Sequence, residues 1–232
     1  MFQNYFKVAL RNISKHKFYS ALNISGLALG LTACFLIGLY IFDELSFDKL
    51  HEDHENIYSM ALHGRIAGQE IYTSTTSPPI AAAMLAAIPG VEQATRINTF
   101  GPLVLKFEDK AFTEMKAYEV DSNFFDFFSF RLLQGQPKDV LKEANTIVMT
   151  PLIAEKYFGK QDPIGKIITV GNENRAYKVT GIVEAPPSNS SIQYELLLST
   201  VGDEYMRGTQ WTNNGIYTYI RKKPQHHGRE HQ

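Results

Sequence analysis

The run VDSNFFDFFSFRLLQGQPKDVLKEANTIVMTPLIAEKYFGKQDPIGKIITVGN, residues 120–172, concentrates the strongest structural signals of the chain. Phe124, Phe125, Phe127, Phe128 and Phe130 form an apolar cluster too dense to leave in water, so they read as core. Asp121 and Asn123 suit turn and capping roles, and Asp121 or Ser122 would cap a short helix, NFFDFF. Thr150 before Pro151 is an N-cap and N1 pair opening the helix PLIAEKYF, which carries Tyr157 and Phe158 and stops at Gly159. Gly159 and Gly165 suit positions of positive φ, and Pro163 fixes a turn into the next strand. These are the roles of a rigid scaffold, and none of them requires catalysis.

Outward from this run, strand-like segments fall at residues 56–65, 69–75, 103–107, 111–120, 146–149, 166–170, 177–183 and 216–220. Glu108-Asp109-Lys110 and Gly171-Asn172-Glu173-Asn174 read as hairpin turns. Ser77 before Pro78 predicts a second capped helix, PPIAAAMLAAI, stopped by Pro89-Gly90. Strands with interleaved helices and no linker or repeat predict one α+β domain over residues 43–220, its sheet mixed but mostly antiparallel.

The N-terminal part differs in kind. Residues 21–42, ALNISGLALGLTACFLIGLYIF, carry no charge and hold eleven Leu, Ile or Phe residues. As a helix they would extend about 33 Å, enough to cross a hydrocarbon core of about 30 Å. The run is longer than a signal-peptide core and lacks a small-residue cleavage site, so it reads as a transmembrane helix. Lys7, Arg11, Lys15 and Lys17 precede it without an acid, whereas residues 43–55 hold six acids against Lys49. The positive-inside rule then places residues 1–20 in the cytoplasm and the main domain outside. Phe2, Phe6, Ala9, Leu10 and Ile13 recur at helical spacing while Lys7, Arg11 and Lys15 form a basic row. This predicts an amphipathic juxtamembrane helix on the inner leaflet, joined to the span near residues 18–20. Gly26 and Gly30 make a GxxxG spacing that would admit another helix, although such pairs are common in membrane spans.

With 232 residues, 23 Lys and Arg against 24 Asp and Glu, and one cysteine, the composition excludes an internal disulfide framework and offers no basic surface for nucleic acid. The apolar share of 44% excludes a disordered chain.

Residues 120–172 resemble the periplasmic core domain of MacB/FtsX-like ABC transporter permeases. So do YKVTGIVEAPPSNSSIQYELLLS (177–199, including Gly181), FKVALRNISKHKFYSALNISGLALGLTACFLI (6–37) and ELSFDKLHEDHENIYSM (44–60). The resemblance implies a bacterial inner-membrane permease-type subunit with a periplasmic main domain. A cytosolic ATPase subunit would drive it, a second permease copy or paralogue would pair with it, and membrane lipid would surround it. Hydrolysis inside would move the periplasmic domains to export a substrate or release a lipoprotein. No GxxxxGK[ST] loop is present, so the motor is expected on a separate protein. The family pattern continues to further membrane helices, whereas residues 221–232, RKKPQHHGREHQ, form a polar tail without the resemblance. The expectation is a truncated permease. The rival readings are a single-pass sensor with an external ligand-binding domain, which the short cytoplasmic part disfavours, and an inactive fragment.

No catalytic or metal site is expected. His51 and His54 in HEDHE lack a third ligand and read as a solvated acidic face, and His226, His227 and His231 would bind metal only adventitiously. Cys34 falls mid-span, no GxSxG elbow is present, and Trp211 is a candidate for an exposed contact.

Overall fold

The computed structural model describes residues 2–66, 68–99 and 101–223. The chain divides into two compact units, one ending at Phe47 and the other beginning at Asp48. The first is helical: α1 (Phe2–Lys15) and α2 (Lys17–Leu45) are separated at His16, which takes φ −118° and ψ 52°. The break therefore precedes the expected join, and α2 outruns the predicted span at both ends. None of its 29 residues is buried, and it is long and apolar enough to cross a membrane. Lys7, Arg11 and Lys15 lie on α1, one face by their spacing. Gly26 and Gly30 lie inside α2, with open space where a side chain would project.

The second unit begins with a 3-10 turn, His54–Asn56, and continues as β1 (Ile57–Ser59), β2 (Leu62–Ile66), β3 (Gln69–Thr73), α3 (Ile80–Ala87) and β4 (Val91–Thr99). Next come β5 (Leu103–Phe107), β6 (Lys110–Glu114), β7 (Ala117–Val120), α4 (Phe124–Phe127), β8 (Leu132–Gln134), β9 (Thr146–Met149) and α5 (Pro151–Phe158). The last are β10 (Ile167–Val170), β11 (Arg175–Val183), β12 (Leu196–Ser199) and β13 (Ile216–Lys222). One large sheet runs β1-β13-β4-β7-β12-β9-β11-β10-β5-β6, with β8 added against β11, while β2 and β3 form a separate hairpin. The parallel ladders are β9 with β11 and β7 with β12; the other described ladders are antiparallel. The unit is therefore the α+β domain that the patterning predicts.

The central strands explain its layering. In β9 and β12 every residue is buried, because both faces of the sheet are covered there. Ile147, Met149, Leu196 and Leu198 join Tyr157, Phe158 and Ile153 of α5 on one face. Val148 and Leu197 join the phenylalanines of residues 124–130 on the other. Strands covered on both sides read as continuous apolar runs rather than alternation, which is why LLLS carries no period-2 signal and β12 was not expected. β4 was missed for the opposite reason, its VEQATRINT being mostly polar. The single run predicted at 111–120 is two strands: β6 edges the sheet, and the chain then crosses to place β7 between β4 and β12.

Several capping expectations change. Thr150 is extended (φ −74°, ψ 159°) with Pro151 opening α5, but its hydroxyl makes no capping bond. α3 starts only at Ile80, whose N–H donates to the Ser77 carbonyl at 3.2 Å. Pro78 stands before a second proline, a place where helical backbone is sterically disfavoured, so Ser77 opens a turn instead of capping a helix. Asp121 is not a cap either. Its carboxylate accepts from Arg96 Nε (2.9 Å), Nη2 (2.8 Å) and backbone N–H (2.9 Å), and from the Thr200 hydroxyl (3.0 Å). Arg96 Nη1 reaches the carbonyls of Pro78 and Met206, so this bidentate pair ties β4, the end of β7 and two loops together. Asn123 precedes α4 at the N-cap position, yet its side-chain amide donates to the Ala94 carbonyl at 2.9 Å. Both polar groups are drawn to the neighbouring strand because a single-turn helix offers them few free N–H groups.

Gly159 (φ 61°) and Gly165 (φ 82°) occupy the left-handed region, and the Pro163 carbonyl accepts from Lys166 N–H at 3.1 Å in the turn between α5 and β10. Gly181 is constrained by space instead: a Cβ there would lie 2.9 Å from Val140 Cγ1 and 3.1 Å from the Gln134 carbonyl oxygen. Gly181→Ala is expected to cost about 1–3 kcal/mol in thermal unfolding. Val140→Ala should recover part of that cost in a double-mutant cycle, with a coupling of about 1 kcal/mol.

A second consequence concerns Glu119, buried on β7, whose carboxylate accepts from Asn98 Nδ2 at 3.1 Å. Burial pushes its carboxyl up from 4.5 to about 7, with Asp203 adding to the rise and the Asn98 bond and Arg175 opposing it. The folded state then holds a proton that the unfolded state releases, so this group's contribution to stability falls as pH rises from 4.5 through 7. Glu119→Gln is expected to flatten the pH dependence of Tm across that window.

Candidate functional site

The second unit opens with Asp48, a non-glycine residue at φ 56°. That conformation is tolerated best by Asp and Asn, and here it is held from three sides. Asp48 N–H donates to the Asn189 carbonyl at 2.9 Å, Ser191 N–H donates to Asp48 Oδ1 at 2.7 Å, and the Ser191 hydroxyl donates to Oδ2. The receiving loop is stiffened by Pro186-Pro187, with Ser190 N–H and Gln193 Nε2 both donating to the Pro187 carbonyl.

His51 follows three residues later and departs from the solvated-face reading of HEDHE, which the exposed Glu52, Asp53 and Glu55 keep. It is 4% exposed, with its ring 4.9 Å from Phe128 and 5.0 Å from Phe130. Nδ1 accepts from Ser129 N–H at 3.2 Å, which fixes the neutral tautomer with its hydrogen on Nε2. Glu52 N–H donates to the Ser129 hydroxyl at 3.0 Å, so the two segments exchange bonds. His54 Nδ1 lies 3.1 Å from the His51 carbonyl oxygen. Burial lowers the basicity of His51; Asp48 opposes this, and His54 and Arg221 reinforce it.

The phenylalanines are built to receive this segment. Phe124, Phe125, Phe127, Phe128 and Phe130 are all buried, and Phe124 stacks on Phe130 at 5.7 Å with 7° between planes. Tyr194 closes the cluster edge-on to Phe130, and its hydroxyl donates to the Glu184 carbonyl at 3.1 Å. Leu50 and Ile57 pack against the same cluster. Arg221 adds a third anchor: its guanidinium lies over the Phe127 ring, donates to the Asp126 and Phe127 carbonyls, and sits 3.6 Å from Asp53. Arg221 and Lys222 thus belong to β13, beyond the strand end expected at 220. A cavity of about 310 Å³ lies beside the segment, with Asp48, His51, Phe128, Ser191 and Tyr219 in its wall.

Among the described residues no group of three or more His, Cys, Asp or Glu is placed to hold a metal ion. His226, His227 and His231 lie outside the described residues. Cys34 is exposed on α2, and Trp211 is 58% exposed after β12. Tyr157 and Phe158 are buried in α5, where the Tyr157 hydroxyl donates to Glu114 at 2.6 Å and Lys156 pairs with the same oxygen at 2.7 Å. Of the family-motif residues, Phe124 and Phe125 stand at the junction of residues 48–57 with the aromatic cluster, within the second unit, while Tyr157, Phe158, Gly159, Pro163 and Gly165 stand in α5 and the turn after it. Sequence reasoning missed His51, Asp48, Ser191 and Arg221; the first three are bonded to partners 78 to 143 residues away, and no local pattern marks such pairs.

A mixed, mostly antiparallel sheet preceded by a helix of membrane-spanning length defines the class as an α+β domain with one candidate membrane span. The chain belongs to the MacB-like periplasmic core domain family, whose sequence model matches residues 20–225. It is similar to a domain assigned to a permease protein from Porphyromonas gingivalis, at 29% identity and TM-score 0.66, over 75% of this chain and 76% of that one. The fold is also shared with the periplasmic region of MacB from Actinobacillus actinomycetemcomitans (19% identity, TM-score 0.52, 73% and 76% covered). The extracellular domain of the noncanonic ABC-type transporter YknZ from Gram-positive bacteria shares it too (16%, 0.50, 73% and 83%). A search of curated proteins finds no match.

Asp48→Ala removes both carboxylate bonds to Ser191 and the residue type suited to its backbone. The expected cost is about 1–2 kcal/mol in thermal unfolding of the full chain in detergent, with faster amide exchange at Ser191.

Proposed function

We propose that the chain is a permease-type subunit of an ABC transporter, in which α2 crosses the bacterial inner membrane and the second unit stands in the periplasm. Residues 1–20 form the cytoplasmic part, with the basic row of α1 on the anionic inner leaflet beside a separate ATPase. That motor moves the periplasmic domain to export a substrate or release a lipoprotein. Gly26 and Gly30 give α2 a face of small residues for a second permease copy or paralogue.

The observation that carries this reading is the anchoring of the chain just after the helix. From Leu45 the backbone passes only Ser46 and Phe47 before Asp48, whose N–H and carboxylate are bonded to the 189–191 loop. Leu50, His51 and Glu52 are then fixed to the aromatic cluster. A flexible linker would absorb a displacement of the helix, whereas a segment bonded to three parts of the domain passes it to the sheet. Two of the stretches that carry the family resemblance, residues 124–130 and 189–191, receive the segment, which supports a mechanical role for them.

Charge reversal at Lys7 and Arg11 tests the inner end. Each basic side chain near an anionic leaflet contributes about 1 kcal/mol. The double reversal is expected to lower the ATP hydrolysis recovered with the purified full chain severalfold, while Tm of the second unit stays unchanged. Equal recovery from variant and wild type would overturn the coupling role of α1.

A further inference from the structure

We propose that His51 is a proton-operated latch on the junction, releasing residues 48–56 from the aromatic cluster when its imidazole takes up a proton. The inference rests on the coupling reading above for its consequence, but not for its mechanism, which is local.

The latch is a single acceptor. Nδ1 of neutral His51 receives Ser129 N–H at 3.2 Å. A protonated imidazole carries hydrogen on both nitrogens and has no acceptor left, so the same contact would set two N–H groups against each other. Ser129 N–H would then be left without this partner in a largely apolar setting, a cost typical of an orphaned buried donor. Its surroundings favour the neutral ring. Phe128 and Phe130 offer no hydrogen bond to Nε2–H, and the aromatic walls exclude water from most of the ring.

The charged neighbours do not rescue the cation. On its own segment, Asp48 favours the cation, but by less than burial disfavours it, its carboxylate being engaged by Ser191 N–H and Oγ, and His54 is a second base whose charge would repel it. From β13, Arg221 opposes protonation and is itself held by Asp53 and by the carbonyls of Asp126 and Phe127. Tyr219, across the cavity, is pushed up to about 12 by burial and stays neutral. Phe128 and Phe130 of the aromatic segment carry no charge. Access is provided by the cavity of about 310 Å³ whose wall includes His51, so a proton arrives without global unfolding.

The sign follows from linkage. The released ring titrates near the ordinary value of 6.5 and the latched ring below it, so the open segment binds more protons and latching weakens as pH falls below 6.5. Between pH 7.5 and 5.5 the opening equilibrium is expected to rise by up to about tenfold, the limit for a latched ring that takes up no proton.

Hydrogen exchange of the full chain in detergent reads this directly, with rates divided by those of unstructured peptides at each pH. Wild-type protection should fall severalfold, up to about tenfold, at residues 48–56 and at Ser129, with β9 and β12 unchanged. His51→Asn keeps an amide oxygen that can accept from Ser129 but does not titrate, and should hold protection level. His54→Asn should leave the response intact. Unchanged wild-type protection would overturn the latch, as would a pH response that survives in His51→Asn. Neither readout involves an ATPase. A latch that works while the Lys7 and Arg11 reversal has no effect would therefore leave a local switch without the motor, and the converse would leave the motor without the switch.

Discussion

The constraint on which the second unit depends is the burial of β9 and β12 on both faces. Two strands of wholly buried residues cannot stand in a one-layer sheet, so each face needs its own cover. α5 supplies one through Ile153, Tyr157 and Phe158, and the phenylalanines of residues 124–130 supply the other with Tyr194. Each fully buried large apolar side chain is worth about 1.5–3 kcal/mol. The aromatic segment is therefore a structural layer that also presents an outer edge, on which Leu50, His51 and Ile57 are seated.

Polar groups decide where that seating is specific. Hydrophobic contact between Leu50 and the cluster would tolerate sliding, but the bonds of His51 with Ser129 and of Asp48 with Ser191 have fixed directions and lengths. The Arg96–Asp121 pair plays the same part elsewhere in the unit, fixing β4 to the end of β7, one residue beyond the strand and three before the first phenylalanine. Partly buried bidentate pairs of this kind set geometry more surely than they add net stability, because the desolvation of both charges offsets much of the attraction. In the proposed transporter this division suits a moving part, with apolar layers giving cohesion and directional bonds setting where force enters.

Local signals were enough for much of the fold. Pro151 after Thr150 and the Gly159 stop give α5 to the residue, and Gly171 to Asn174 gives the β10–β11 turn, since these depend only on neighbouring backbone. The errors share one cause. Ser77, Asp121 and Asn123 have the side chains of capping residues, yet Asp121 and Asn123 bond to a distant strand, and Ser77 stands ahead of a turn imposed by two prolines. HEDHE reads as solvated because its composition is polar, while the burial of His51 depends on Phe128 and Phe130, nearly eighty positions further along.

By itself the sequence determined the membrane-length apolar helix, the basic row before it, the α+β class and the family, all of which follow from short-range periodicity, composition or contiguous motif. Only the tertiary structure decided the strand order, the parallel pairing of β7 with β12 and β9 with β11, and the junction in which Asp48, His51, Ser129, Ser191 and Arg221 meet. The physical reason is that these depend on which residues share a face once the sheet has formed, and no side chain carries that information until its distant partner is in place.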